Sequence, residues 1–226
     1  EVDEAQAPSA NDEYMLYQTL VGVWPAHFEQ APDAPSPELA DLVARLQAFV
    51  VKAVREAKVT SSWERPNEAY EDACGAFIER MLDASRPNSF IADFAEFHAR
   101  LAPAAMLNGL SQLVLKMTAP GVPDLYQGCE SWDLSLVDPD NRRPVDFSGL
   151  AARLAAIDTS KDVAGMVAAW RDGRIKHYVT MALVKLRHER PDAFLAGGYE
   201  PLECEGPAAD HLVAFKRAHP TGDVIV

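Results

Sequence analysis

Acidic side chains and two adjacent arginines are concentrated in one short stretch, residues 121–147, with the sequence GVPDLYQGCESWDLSLVDPDNRRPVDF. Carboxylates and guanidinium groups form directional hydrogen bonds of the kind that sugar hydroxyls require. At the mouth of a β/α barrel, such a stretch would suit the rim of a sugar-binding site. The alternative is an ion-paired loop, in which arginines hold acids in a rigid turn. The charged residues concerned are Asp124, Glu130, Asp133, Asp138, Asp140, Arg142 and Arg143.

Metal and thiol chemistry fit the sequence poorly. An EF-hand loop counted from Asp138 needs Gly at its sixth position and Glu at its twelfth, where the chain has Arg143 and Gly149. The six histidines show no HExxH pattern and the three cysteines form no CxxC pair. Cys129 lacks the surroundings of a nucleophile and is expected to be a small packed side chain. We therefore predict no metal site and no cofactor.

Helices are the main elements that must position these residues. They are predicted wherever apolar residues recur at three- and four-residue steps along the chain. The stretches with this spacing are 14–21, 39–54, 70–82, 90–101, 106–117, 150–157, 163–170 and 175–186. Ser36-Pro37 has the form of an N-cap followed by proline at the first helical position. Pro103 is expected to end one helix and begin the next.

Short apolar runs predict strands. Residues 122–126, between Pro120-Gly121 and Gly128, are typical of a strand buried in a parallel sheet, and that strand would open into the acidic stretch. Beyond Pro191, the runs 194–195, 199–202, 212–215 and 224–226 indicate an all-β module. The predicted fold class is mainly α with short β elements.

Composition narrows the class of protein. The 226 residues are 48% hydrophobic, enough for a core, and carry a net charge of −13, which disfavours nucleic acid and anionic membranes as partners. No apolar run is long enough to span a bilayer, and cysteine usage indicates the cytoplasm. The chain begins at Glu1 without an initiator Met, and its last run, GDVIV, is expected to lack a partner strand within this chain and to need one from outside it. We therefore expect a piece of a longer protein.

Residues 119–147 closely resemble the eighth barrel strand and following loop of the maltooligosyltrehalose synthase family, within the α-amylase superfamily. The superfamily shows a looser Pro-Gly-x-Pro-x-x-Tyr-x-Gly-x-Glu, and the following Trp-Asp-Leu-Ser-Leu-Val-Asp-Pro-Asp-Asn-Arg-Arg-Pro-Val-Asp is more specific. Similarity to the same family continues, in the same order, through residues 11–25, 54–73, 108–124, 173–202 and 211–217.

The resemblance implies the C-terminal fragment of an α-amylase-type β/α barrel. Residues 1–118 would form a helical insertion or lid together with barrel helices. Residues 119–190 would hold the eighth strand, its loop and the following helices. Residues 191–226 would begin a truncated C-terminal β-domain.

The family's activity, as the resemblance implies it, turns the reducing-end α-1,4 linkage of a maltooligosaccharide into an α,α-1,1 linkage by retaining intramolecular transglycosylation. In the superfamily, the nucleophilic Asp, the acid/base Glu and the stabilising Asp all precede the region resembled here. We therefore assign no catalytic residue and expect no turnover from this segment alone. The implied partners are maltooligosaccharide, bound through the complete enzyme, and the N-terminal part of that enzyme.

Nine residues are candidates for contact with substrate under this resemblance: Lys58, Trp63, Tyr126, Gln127, Glu130, Asp138, Asp140, Arg142 and Arg143. Trp63 is a candidate stacking surface for a glucose ring, and the alternative is a tryptophan packed between helices. Where the family often has His-Thr-Ser-Trp, this chain has Thr60-Ser61-Ser62-Trp63. No histidine role is therefore carried over.

Two other functions remain open at this stage. A non-catalytic helical interaction module, with an acidic surface that binds a protein partner, would have an independent core, no affinity for sugar and a closed C-terminus. The expectation that the terminal DVIV run is unpaired argues against it. A hydrolase of the same superfamily would differ by admitting water to the reaction centre. Product analysis of the complete enzyme separates the hydrolase from the synthase, because one releases free glucose and the other leaves a trehalose-ended chain.

Overall fold

The computed structural model describes residues 6–160 and 162–226. The chain divides into two compact units, of which the first comprises Glu1–Pro103 and Leu134–Pro144. The second comprises Ala104–Asp133 and Val145–Val226. The described residues are mainly helical and include a small antiparallel sheet, as the fold class predicted.

The first unit is built on helices α1 (Ala10–Val23), α2 (Pro37–Ala57) and α3 (Glu68–Met81), with the beginning of α4 (Ser89–Thr118). The predicted cap of α2 is confirmed, because the Ser36 hydroxyl accepts a hydrogen bond from the Leu39 N–H at 3.1 Å and Pro37 follows it. One face of α2 is buried at the predicted spacing. Its buried residues are Leu39, Leu42, Leu46, Val50 and Val54.

Helix α4 corrects the prediction at Pro103. The sequence suggested two helices meeting there, whereas the structure has one 30-residue helix with Pro103 inside it. Proline removes one N–H donor from the helical ladder but does not prevent helical dihedrals, so a long helix continues when both sides pack. Although α4 is the longest of the described helices, none of them is long and apolar enough to cross a membrane.

The second unit contains the end of α4, then α5 (Phe147–Ser160), α6 (Val163–Ala168), α7 (Arg174–Glu189) and α8 (Pro191–Leu195). Ile157, Met166 and Ile175 form a small buried cluster, with Trp132 and Trp170 packed against it. The indole N–H of Trp132 donates to the Trp170 carbonyl at 2.6 Å. The helical spacing predicted for residues 150–157, 163–170 and 175–186 is confirmed in these elements.

Residues 122–126 do not form the predicted strand. Among the described residues, no strand is assigned there, and the side chain of Val122 is 93% exposed. A strand requires ladder hydrogen bonds to a neighbour, and the sheet of the described chain consists of three other segments. The apolar pattern of residues 122–126 does not indicate whether a neighbouring strand is present to pair with them.

The C-terminal sheet has the order β1 (Gly198–Pro201), β2 (Phe215–Ala218) and β3 (Val224–Ile225), with both pairings antiparallel. The expectation that the terminal run lacks a partner is wrong, because Val224 pairs with Arg217 and Ile225 with Lys216. A turn closed by the Gly222 N–H and the His219 carbonyl at 2.9 Å joins the two strands.

Two further strand predictions are wrong, one completely and one in part. Residues 194–195 belong to α8, because proline at its first position favours a helix start, and residues 212–214 precede β2 without joining it.

Arg217 lies in β2 with only 3% of its surface exposed. Its guanidinium donates to the carbonyls of Thr118, Phe194, Gly197 and Gly198 at 3.0–3.3 Å. Arg187 of α7 donates to the Met117 carbonyl at 2.8 Å, so two arginines hold the C-terminal end of α4. The buried charge is balanced by carbonyl oxygens, because the last carbonyls of a helix lack intrahelical donors and carry partial negative charge.

Candidate functional site

The acidic loop, defined here as residues 134–144, packs on α2 within the first unit. Asp140 is its anchor, since the Arg45 side chain donates to both carboxylate oxygens at 3.0–3.2 Å and the Leu136 N–H donates at 2.7 Å. The same guanidinium reaches the Leu134 carbonyl at 2.6 Å. Arg143 adds a second cation 3.1 Å from the Asp140 carboxylate. Asp140 is therefore almost fully engaged within the protein.

The surroundings of Asp140 stabilise its ionised form. Burial by itself raises the pKa of this carboxyl group. Hydrogen bonds from Arg45 and the Leu136 N–H, together with the charges of Arg45 and Arg143, lower the pKa by more than burial raises it. The net result is a pKa below the ordinary value. A negative charge is thus held beneath the loop, and it stabilises the loop conformation.

The other charged residues of the acidic loop are more open to solvent. Lys52 of α2 donates to the Asp138 carboxylate at 2.9 Å and to its carbonyl at 2.8 Å. Hydrogen bonding from Lys52 lowers the pKa of Asp138. The Arg142 side chain is 72% exposed and lies 3.3 Å from Asp138. Arg142 therefore has the most surface available for a ligand among these loop residues.

Sequence reasoning missed the cations that hold the loop and its surroundings. Arg45, Lys52 and Arg55 of α2 were not among the candidate residues. Their spacings of seven and three residues place them on one side of the helix, which was the available signal. In the structure they pair with Asp140, Asp138 and Glu71 respectively.

The chain leaves α2 through Lys58 and a turn that displays Trp63. Lys58 is exposed and adopts the left-handed conformation, with φ of 56°, where helices usually place glycine. Trp63 is 54% exposed, and the guanidinium carbon of Arg55 lies 5.0 Å from its ring centroid. Trp63 is therefore a surface side chain, in contrast to the alternative of a tryptophan packed between helices.

Tyr126, Gln127 and Glu130 belong to the second unit. Tyr126 is half-exposed, Gln127 is exposed, and the Cys129 N–H donates to the Tyr126 carbonyl at 3.2 Å in a turn that includes Gly128. Gly128 has φ of 88°, and a Cβ there would lie 3.2 Å from Val145. Glu130 is half-buried, and its Oε2 has no hydrogen-bond partner among the described residues.

Two titratable residues of α7 near this turn were not among the candidates, because the apolar spacing that marks α7 does not indicate which polar side chains become buried. Lys176 donates to the Ser131 carbonyl at 2.8 Å and lies 5.6 Å from the Trp132 ring centroid. Burial lowers the pKa of Lys176 and that of His177. The Nδ1 atom of His177 is buried without a hydrogen-bond partner in the described part of the chain.

The described residues contain no group of three or more His, Cys, Asp or Glu side chains arranged to hold a metal ion. The nine candidate residues fall into two sets. Lys58, Trp63 and the four acidic-loop residues lie in the first unit, and Tyr126, Gln127 and Glu130 lie in the second. Chemically, the first set offers an exposed indole and exposed cations, which are groups that bind hydroxylated ligands.

Comparison with known proteins gives a consistent result, although no family model matches the chain. A Mycobacterium tuberculosis H37Rv protein described as a putative maltooligosyl trehalose synthase is 38% identical over 213 residues, which make up 94% of this chain. A crystal structure of a maltooligosyl trehalose synthase superposes with a TM-score of 0.77 at 35% identity over 91% of this chain. The chain is homologous to one segment of maltooligosyltrehalose synthase.

The segment is a minor part of each relative. It spans 24% of the Mycobacterium protein and 26% of the chain in that crystal structure. A hypothetical maltooligosyl trehalose synthase from Sulfolobus tokodaii agrees, with a TM-score of 0.71 at 36% identity over 91% of this chain and 25% of its own. The resemblance to the maltooligosyltrehalose synthase family inferred from residues 119–147 is confirmed.

Contact between the nine candidates and sugar stays a prediction for this chain. Asp138 and Asp140 fit the alternative of an ion-paired loop, because both carboxylates bind cations of α2. Six candidates keep exposed surface that a ligand could contact, namely Lys58, Trp63, Tyr126, Gln127, Arg142 and Arg143.

Replacing Lys58 with glycine separates its conformational role from a role in binding. Glycine adopts the left-handed region without strain, so we expect Lys58→Gly to raise the free energy of unfolding by about 0.5–1 kcal/mol. Urea unfolding of the 226-residue chain measures this change. If Lys58 contacts sugar in the complete protein, Lys58→Gly should raise the KM for the sugar substrate despite the greater stability. An unchanged KM would leave Lys58 with no role beyond ending α2.

Proposed function

We propose that this chain is part of an enzyme that converts the reducing-end α-1,4 linkage of maltooligosaccharides into an α,α-1,1 linkage. The reaction would be a retaining intramolecular transglycosylation, which leaves a terminal trehalose unit. The observation that carries the proposal is the 38% identity over 94% of the chain to a protein described as a putative maltooligosyl trehalose synthase. The TM-score of 0.77 to a crystal structure with that name supports it.

The proposed place of the chain is the C-terminal part of a β/α barrel enzyme. Residues 1–118 would form a helical insertion with barrel helices, 119–190 the region of the eighth strand with its loop, and 191–226 the start of a C-terminal β-domain. Residues 122–126 would become a strand only beside the neighbouring strands of the complete barrel, because ladder hydrogen bonds need a partner. The exposure of Val122 supports this interpretation.

The reactive carboxylates of the proposed enzyme would lie in other parts of its chain. In the α-amylase superfamily they precede the region resembled here, and no residue of this chain matches their motifs. We therefore expect the 226-residue chain to give no trehalose-ended product from maltopentaose in a chromatographic assay. The complete enzyme is the positive control. Product formed by the isolated chain would contradict this proposal, and activity restored by adding the missing portion would support it.

Trp63 is the proposed sugar contact with the clearest geometry. In the complete enzyme, we expect Trp63→Ala to weaken maltooligosaccharide affinity about tenfold, through the loss of a stacking contact worth about 1.4 kcal/mol. Because the side chain is exposed, stability should change little. Isothermal titration calorimetry and urea unfolding measure the two quantities.

Tyr14, an exposed aromatic residue on α1, provides a matched control for this measurement. Tyr14→Ala is expected to leave sugar affinity unchanged. If Trp63→Ala lowered stability and left affinity at its original value, Trp63 would be a packing residue.

A further inference from the structure

The Arg55 guanidinium, which lies near the exposed ring of Trp63, also binds a buried carboxylate. Glu71 of α3 is 6% exposed and accepts two hydrogen bonds from the Arg55 side chain, at 2.8 and 2.6 Å. The buried Ser61 hydroxyl donates to the same carboxylate at 2.5 Å. Both oxygens of Glu71 are therefore occupied, and hydrogen bonding from Arg55 lowers its pKa.

The network is continuous with the backbone around Trp63. The Ser61 hydroxyl oxygen also accepts from the Asn67 N–H at 3.0 Å. Residues 62–65 form a tight turn, closed by the Ser62 N–H donating to the Arg65 carbonyl at 3.2 Å and the Arg65 N–H donating to the Ser62 hydroxyl at 3.0 Å. Trp63 lies within this turn, directly after Ser61 and Ser62, whose hydroxyl groups are held by hydrogen bonds.

Arg55 connects the buried carboxylate to the exposed ring. One guanidinium binds Glu71 through two nitrogens and also lies 5.0 Å from the Trp63 centroid. A bidentate pair fixes the plane of the guanidinium, and a cation near an aromatic face restricts the position of the ring. The ring still keeps 54% of its surface open to solvent.

A buried ion pair is a weak source of net stability, because desolvation of both charges offsets their attraction. The orientation that this pair imposes is a more specific consequence. A ring held in one orientation has lost its rotamer freedom before a ligand arrives, so less entropy is lost when a flat ligand stacks on it.

We propose that Arg55, Glu71 and Ser61 are positioning residues that hold Trp63 as a pre-oriented stacking surface for a glucose unit. This inference rests on the proposed function, because the ligand is the maltooligosaccharide of that reaction. It adds three residues that do not themselves touch the sugar. Their effect on binding passes through the orientation of Trp63.

The test uses fluorine NMR of protein containing 5-fluorotryptophan. The chain has four tryptophans, and the Trp63 resonance is assigned by its loss in Trp63→Phe. Arg55→Gln removes the cation, and the double variant Arg55→Gln/Glu71→Gln removes both charges, so that no unpaired carboxylate is left buried. Arg65→Gln, in the same turn, is the matched control. Line width reports the mobility of the ring, and titration of the complete enzyme with maltopentaose reports affinity.

We expect a narrower, more mobile Trp63 resonance in both network variants and an unchanged one in Arg65→Gln. Affinity for maltopentaose should fall about two- to fivefold, the range of a cation–π contact at an exposed site. Arg55→Lys keeps the charge but not the bidentate geometry, and it should restore affinity only in part.

Two results would overturn the inference, and they are distinguishable. Unchanged Trp63 mobility in the double variant would exclude a positioning role for the network, whatever the sugar does. A wild-type Trp63 resonance that does not respond to maltopentaose would instead remove the proposed sugar contact, and with it the purpose assigned to the network.

Discussion

Replacing Arg217 with methionine is expected to destabilise the second unit by about 3–5 kcal/mol, because several buried carbonyls lose their donor. Arg217 is 3% exposed and donates to four backbone carbonyls. Methionine fills a similar volume but donates no hydrogen bond. The unpaired groups would include the Thr118 carbonyl at the end of α4.

Arg217 also lies close to a second cation. The guanidinium carbons of Arg187 and Arg217 lie 4.7 and 5.8 Å from the Phe194 ring centroid. Burial and the positive charge of Arg217 lower the pKa of Arg187. Two like charges remain in this small volume because carbonyl oxygens and an aromatic face oppose their repulsion.

Hydrogen exchange measured by mass spectrometry tests the Arg217 prediction. Peptides covering residues 191–226 should exchange faster in Arg217→Met, while α2 in the other unit keeps its protection. Lys216→Met is the matched control on the same strand, because Lys216 is partly exposed and pairs with Glu200 and Asp223. Equal protection of residues 191–226 in wild type and Arg217→Met would show that the carbonyl contacts contribute no stability.

Replacing Asp140 with asparagine is expected to lower the free energy of unfolding of the first unit by about 2–3 kcal/mol, less than for a fully buried ion pair because some solvent reaches the site. The side chain is 10% exposed, and that of its main partner Arg45 is 13% exposed. Asparagine keeps the shape but leaves the Arg45 charge unpaired. Urea unfolding and hydrogen exchange of residues 134–144 measure the loss.

The difference between wild type and Asp140→Asn should depend on pH. Burial alone would raise the pKa of Asp140, but hydrogen bonds and charges lower it in the folded chain. A lowered folded pKa contributes stability that is present above the unfolded value, about 3.9, and that is lost as the pH falls through the folded value. The stabilities of the two proteins should therefore begin to converge as the pH falls below about 4, and become equal once Asp140 is protonated in the folded chain.

Arg142→Gln is the control for the acidic loop. Its pair with Asp138 is exposed, so the variant should unfold at the same urea concentration as wild type. If Asp140→Asn were as stable as wild type at neutral pH, the contact between Arg45 and Asp140 would not hold the loop on α2.

Local signals in the sequence were sufficient to predict much of the helical structure. Ser36-Pro37 marked the start of α2, and the apolar residues of that helix are buried as their spacing required. Predictions failed where the secondary structure of a residue depends on contacts with residues far away in the sequence. Pro103 lies inside a continuous helix, residues 122–126 have no strand neighbour in the described chain, and Val224 pairs with Arg217.

Some features of the candidate site could likewise be predicted from the sequence, and others could not. Trp63 and the acidic loop were recognisable from residue types and from the specific motif around residues 119–147. The cations that bind the acidic loop could not be predicted, because Arg45 and Asp140 are 95 positions apart and Lys52 and Asp138 are 86 positions apart. Spacing on α2 placed its cations on one side of the helix, but which acid each would meet depended on the folded chain.

By itself the sequence determined the helical periodicity, the N-cap of α2 and the resemblance to maltooligosyltrehalose synthase, since each depends on neighbouring residues or on an ordered series of motifs. Only the tertiary structure decided that Trp63 is exposed, that Asp140 anchors a loop and that the charge of Arg217 is balanced by carbonyl oxygens. The physical reason is that burial and charge pairing depend on which distant groups replace water around a side chain, whereas helical spacing depends only on local geometry.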